Sequence, residues 1–128
     1  MKKFSTLLIT IWSLIGWPIA SPAEVINIKK SRELGWTHDH VSTSGYQLRV
    51  DCTDFEDPAS CVKTVDLGMP ATDSVLFSSF STAQVPAGKH KFAVAAYGDF
   101  EGVVEYSGAS NVLDVHLVSL SPPTISTK

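Results

Sequence analysis

With 128 residues the chain has the length of one domain. Its 44% hydrophobic content is ordinary for a globular protein, and its formal net charge of −3 argues against nucleic acid or an anionic membrane as partner.

The chain opens on Lys2 and Lys3, followed by an almost entirely apolar run from Leu7 to Gly16. Ser21-Pro22-Ala23 then supplies small residues at the two positions a signal peptidase reads. Residues 1–23 read as a secretory signal peptide, cleaved after Ala23. The competing reading is a membrane anchor, but the apolar run of about 14 residues is shorter than the roughly 20 of a spanning helix. No cysteine follows the cleavage region, which speaks against a lipid-anchored form. Cleavage removes two lysines and no acid, so the net charge moves from −3 to −5. The expected product is exported, periplasmic or extracellular, with no stable membrane insertion after cleavage.

Glu24 to Lys30 alternates weakly and reads as a first, edge strand. Arg32 to Thr37 puts Leu34 and Trp36 on one face. His38-Asp39-His40 and the Ser/Thr-rich residues after it read as a loop. Two imidazoles on one side of an extended segment make half of a metal site. A polar loop between strands is the other reading and the preferred one, so no metal is assigned. Tyr46, Leu48 and Val50 then alternate with Gln47, Arg49 and Asp51, the pattern of a half-buried strand.

Cys52 and Cys61 are the two cysteines of the chain. In an exported protein such a close pair reads as a disulfide. A zinc pair would need help from His38, His40, His90 or His116, none of which has zinc-finger spacing. The stretch between the cysteines reads as a hairpin-like excursion with Pro58 in it. Asp51, Asp54, Glu56 and Asp57 surround it, a solvated acidic loop in preference to a calcium site, which would need six or more oxygens from a shaped loop.

Val62 to Leu67 returns as a strand and ends at Gly68-Met69-Pro70. Ser74 to Val85 is apolar but out of phase, since Val75, Leu76 and Phe77 are consecutive. Pro86 and Gly88 predict a tight turn feeding a strand in which Phe92, Val94 and Ala96 share a face. Ala93, Ala95 and Tyr97 make the other face apolar too, which predicts a central strand. Tyr97 to Asn111 contains Gly98, Gly102 and Gly108 and reads as a long loop or irregular hairpin. Leu113, Val115 and Leu117 make the last strand, with His116 toward solvent. Residues 119–128, with Pro122-Pro123, are expected to be a disordered tail. Many short strands with turn signals between them mean an all-β sandwich or barrel.

The order of Leu34-x-Trp36, Gly45-Tyr46-x-Leu48, Val85-Pro86-Ala87-Gly88, Phe92-x-Val94-x-Ala96-Tyr97 and Ser110-Asn111 resembles bacterial fibronectin type III domains. The resemblance covers about Arg32 to Leu117, and Val62 to Gly68 is similar to the middle strand of such domains. It implies a seven-stranded, immunoglobulin-like β-sandwich over residues 24–118, with Trp36 in the core on the second strand. His90 stands where the family usually has a tyrosine at the strand entry. It is expected to pack on the core and bond upstream backbone, and its protonation is expected to cost stability. The long Tyr97–Asn111 segment and the Cys52–Cys61 excursion depart from the family pattern.

No nucleophile elbow or His-Glu-x-x-His motif occurs, so no enzyme activity and no cofactor are assigned. The family implies a non-catalytic interaction module that binds a protein or polysaccharide. Aromatic residues on sandwich loops are candidates for that contact. Here they are Phe55, Phe100 and Tyr106, with Val103 beside the last two. The alternatives are a secreted enzyme or inhibitor with an unrecognised site, and a structural subunit assembling through sheet edges.

Overall fold

The computed structural model describes residues 23–127, so the expected signal peptide lies outside the described residues except for Ala23. Eight strands are present among the described residues: β1 (Glu24–Asn27), β2 (Glu33–Gly35), β3 (Gly45–Cys52), β4 (Cys61–Gly68), β5 (Ser74–Leu76), β6 (Gly88–Phe100), β7 (Val103–Tyr106) and β8 (Leu113–Val118). A 3-10 turn at Pro58–Ser60 and one short helix, α1 (Phe77–Ser81), complete the described elements. The fold is all-β, with two sheets in a sandwich-like arrangement. The large sheet has the order β1-β8-β6-β3-β4, and β7 pairs with the far end of β6. The small sheet is the antiparallel pair β2-β5. β1 pairs with β8 in parallel, so the first strand lies in the large sheet beside the last.

β6 is the spine. Its thirteen residues pair with β3, β7 and β8. Phe92, Val94 and Ala96 face inward with Tyr46, Leu48 and Val50 from β3 and Val115 and Leu117 from β8, all buried. The small sheet contributes Leu34, and α1 contributes Phe77 and Phe80. Phe77 and Phe80 lie 6.2 and 5.9 Å from the Phe92 ring, centroid to centroid. Full burial of each such ring stabilises the fold by about 1.5–3 kcal/mol.

The change from β5 to α1 explains the phase of Val75, Leu76 and Phe77. The strand ends at Leu76 and the helix starts at the next residue, so the side-chain period changes from 2 to 3.6 between them. Phe77 and Phe80, three apart, then share one buried helical face. Trp36 lies one residue beyond β2 and is half-buried against the core, where its ring sits 4.9 Å from Tyr46. His116 is half-buried, although its alternation predicts a solvent-facing ring. Past β8, Asn27 brackets the departing chain: its side chain accepts from the Leu120 N–H and donates to the Leu120 carbonyl.

The outer face of the large sheet holds the main departure from the sequence reading. Arg49 alternates with core residues and is nevertheless fully buried. Its register partner is Ala93, and Gln47 pairs with Ala95; both alanines are buried. Two methyl groups leave room above the sheet, and the Arg49 side chain fills it. Nε donates to Gln47 Oε1 at 3.0 Å, Nη1 donates to the Phe55 carbonyl at 2.7 Å, and the guanidinium lies 5.3 Å from the centre of the Tyr106 ring. Nη2 is buried with no partner among the described residues. The apolar second face of β6 is therefore a seat for a buried cation.

The excursion that supplies the Phe55 carbonyl is closed by the Cys52–Cys61 disulfide, whose cysteines are directly opposite in the β3–β4 ladder. Its acids face backbone N–H groups. Asp54 accepts from Glu56 N, Asp57 caps the 3-10 turn by accepting from Ala59 N, and Glu56 accepts from Ala109 N. Asp51 sits at the root in a left-handed conformation, φ 53°. Its carboxylate accepts from Lys91 N at 2.8 Å and faces His90 Nδ1 at 2.7 Å.

His90 stacks on Phe92, and its Nε2 donates upstream to the Pro86 carbonyl at 2.7 Å. Both ring nitrogens face acceptors, the Asp51 carboxylate and the Pro86 carbonyl, which fixes the ring at the strand entry.

Arg49→Ala is expected to lower stability by about 2–4 kcal/mol, and Arg49→Met, which keeps the stem, by less than half as much. Urea unfolding checks both, and equal losses would place the weight on the guanidinium bonds instead of the stem. Reduction of the disulfide is expected to lower stability by about 2.5–3 kcal/mol. It should raise amide exchange in residues 53–60 before the rest of the domain, as measured by hydrogen exchange.

Candidate functional site: the hairpin end of the sandwich

β6 runs on past the sandwich, turns at Glu101-Gly102 and returns as β7. Both turn residues have positive φ, 56° and 90°, as a two-residue hairpin with right-handed strand twist requires. Asp99 accepts from Gly102 N at 2.9 Å and steadies the turn. The 41–44 loop brackets the base: Ser44 N donates to the Tyr97 carbonyl, and Asp99 N donates to Ser44 Oγ. Beyond β7, Ser107 and Ser110 continue the pairing with side chains, their hydroxyls accepting from Ala96 N and Val94 N at 2.9 Å each. The stretch with three glycines is thus an ordered hairpin and a serine-bonded return.

All four residues of β7 are exposed. Val103 is 61% exposed, Phe100 50%, and Val104 and Tyr106 45% each. The register splits them between two faces. Phe100 and Val103 are partners on one; Asp99 with Val104, and Tyr97 with Tyr106, lie on the other.

On the first face, Phe100 leans over Gly98. A Cβ on Gly98 would come within 2.7 Å of the Phe100 ring and 2.6 Å of the Ser42 carbonyl, so this close approach requires glycine. Between hairpin and loop lies a groove of about 210 Å³, whose lining includes His38, Val41, Thr43, Phe100, Glu105 and Ser107. On the second face, Tyr106 stands edge-on to Tyr97 and covers Arg49. Tyr97 in turn donates to Asp66 Oδ1 at 2.9 Å. Of the four expected contact residues, Phe100 and Val103 come together. Tyr106 lines the groove with Phe100 while its ring covers Arg49 on the opposite face, and Val103 lies outside the groove lining. Phe55 is half-buried in the disulfide loop and does not line the groove. Val104 adds to the apolar surface of the hairpin, and Val41, 72% exposed, adds to it from the facing loop without having been an expected contact residue. A valine in a polar loop gives no signal of its own; Val41 sits in a turn between β2 and β3.

The far wall of the groove is held by side chains. His38 Nδ1 accepts from the Tyr46 hydroxyl at 2.9 Å and from His40 N at 3.2 Å. His40 Nε2 meets both oxygens of Asp73 at 2.8 Å. His40 and Ser42 are left-handed, φ 66° and 55°. The two imidazoles, 6.1 Å apart, are thus engaged by different partners, and the His38-x-His40 pair serves as a clasp. Among the described residues no group of three or more His, Cys, Asp or Glu is placed to hold a metal ion. A larger cleft of about 380 Å³ opens between the sheets along Leu34, Trp36, Phe92, Val94 and Leu113, where the short β2-β5 pair leaves the large sheet uncovered. It has no charged residue in its lining.

Burial, and after it the negative charge of Asp73, raises the Tyr46 pKa above its ordinary value. Burial and the bond to Asp66 do the same for Tyr97. A raised pKa means that the folded state holds its phenol protons more tightly than the unfolded state. The stability this gives is complete below about pH 10 and is lost as pH rises through the folded values. Spectrophotometric titration should therefore show two tyrosines ionising late, and Tyr46→Phe should remove one of them and flatten the alkaline loss of stability.

No family model, curated protein or solved structure matches the chain, which leaves its own geometry as the ground for a functional reading.

Proposed function

We propose that the chain is an exported, non-catalytic interaction module with a fibronectin type III-like fold, which binds a protein or polysaccharide through its hairpin end. The observation that carries this reading is the exposed apolar surface of a hairpin whose base is fixed by β6 and the 41–44 loop: Phe100 and Val103 on the face toward Val41, and Val104 on the other face. Asp99, Glu101 and Glu105 form a polar rim around it. Apolar anchors inside a polar rim are the anatomy of a recognition surface. Export is supported by the leader-like Met1–Ala23 segment and the Cys52–Cys61 disulfide. No helix among the described residues is long and apolar enough to cross a membrane. A compartment outside the cytoplasm, periplasmic or extracellular, fits these features.

The test is a double replacement, Val103→Ser with Val104→Ser. Both side chains are exposed, so the thermal midpoint should hold within about 2 °C. Retention of the partner on immobilised protein should fall at least about tenfold, which corresponds to about 1.4 kcal/mol. A midpoint that drops by several degrees with retention unchanged would make these valines part of the fold and end the binding reading.

A further inference from the structure

The hairpin offers backbone as well as side chains. Ser107 N donates to the Ala96 carbonyl at 2.8 Å, so Ala96 and Ser107 form a hydrogen-bonded pair. Two residues on, Gly98 and Glu105 pair in the same way, and then Phe100 and Val103. The alternation turns the N–H and C=O groups of Val104 and Tyr106 away from β6. Nothing among the described residues pairs with them.

Free edges are ordinarily blunted by lysine, proline or a bulge. β4 carries Lys63 and a register shift beside Tyr46 and Gln47, and β1 is followed by Lys29 and Lys30. β7 has none of these. From residue 92 to residue 127 the chain contains no lysine or arginine, while Asp99, Glu101 and Glu105 sit on the hairpin itself. An added strand would find apolar side chains on both faces: Phe100 and Val103 on one, Val104 and Tyr106 on the other. The row of alternating donors and acceptors matches the repeat of a polypeptide backbone, which distinguishes this edge from a sugar-binding surface. A second copy of the chain would set the same acids against each other, which disfavours self-pairing.

We propose that the free edge of β7 takes an extended, basic polypeptide segment as an added strand, with its lysine or arginine side chains facing Asp99, Glu101 and Glu105. This rests on the reading of the hairpin end as the binding surface. The backbone groups supply the register, and the charges select the partner.

The probe is a blocked peptide of alternating valine and lysine, with a valine–glutamate peptide as control, titrated into the full chain while amide exchange is followed by NMR. The lysine peptide should slow exchange at Val104 and Tyr106 by about tenfold or more and leave Glu105 unchanged. The glutamate peptide should do neither. Val104→Pro removes one outward donor without touching a β6–β7 bond and should weaken the lysine peptide about tenfold. Glu101→Lys with Glu105→Lys should reverse the preference toward the glutamate peptide, which tests the same edge in a chain that keeps every backbone donor. Absence of protection at millimolar peptide, or equal protection by both peptides, overturns the proposal. So does protection that appears without peptide as protein concentration rises, accompanied by a dimer in sedimentation. If Val103→Ser/Val104→Ser abolishes partner retention while no peptide protects the edge, the binding surface stands and strand addition alone fails.

Discussion

A buried guanidinium on the outside of a sheet sets the form of this protein. Arg49 cannot shed its charge, and no carboxylate forms an ion pair with it among the described residues. Its compensation comes from neutral groups: the Gln47 amide, the Phe55 carbonyl and the face of Tyr106. An uncompensated buried cation costs several kcal/mol, so each of these groups is held in place by the need for it. That need docks the disulfide loop onto β3 and lays β7 over the same spot. The outer face of the large sheet acquires a cover made of loop and hairpin, without a third sheet. Tyr106 contributes to this cover and stays half exposed, while Phe100 and Val103 stand exposed on the other face of the hairpin.

The inner side is asymmetric for a different reason. The small sheet has two strands of three residues each, too little to cover the six strands opposite. α1 supplies the missing apolar surface with Phe77 and Phe80, both packed on Phe92. A short helix can do this because one turn brings residues three apart to one side, whereas a strand of equal length would turn every second residue to solvent. The cleft along Leu34, Trp36 and Leu113 is what remains uncovered. Its lining is apolar or neutral throughout.

Legibility in the sequence followed the period of the side chains. Tyr46 to Val50, Phe92 to Ala96 and Leu113 to Leu117 alternate cleanly, and each is a strand with those residues inward. The disulfide was legible from two close cysteines in a chain read as exported. Arg49 was not, because alternation alone sends it to solvent; the signal lay in Ala93 and Ala95, whose small size on an outer face needs a large neighbour across the ladder. The Asp51–His90 contact joins residues 39 apart, which no local pattern reports. β7 is four residues long behind a two-residue turn, too short for alternation to stand out among glycines. Of the candidate contact residues, Phe100 and Val103 share a face as neighbours in sequence suggest, but the split from Tyr106 depends on register, and register is fixed only by pairing.

The two walls of the groove are built by different physics, and that decides which one yields. The hairpin wall is a continuous ladder with its turn closed by Asp99, and moving it means breaking several backbone bonds together. The loop wall around Val41 rests on two left-handed residues, His40 and Ser42, each costing of order 1 kcal/mol. What holds them is a side-chain clasp, His40 to Asp73 and His38 to Tyr46, of which the His40–Asp73 part is largely exposed and worth little net energy. A loop that is strained and lightly held adapts at small cost, whereas the hairpin opposite keeps its shape. The groove therefore has a rigid wall on the hairpin side and a lightly held wall on the loop side. The rigid side is the one that carries the unpaired outer edge of β7.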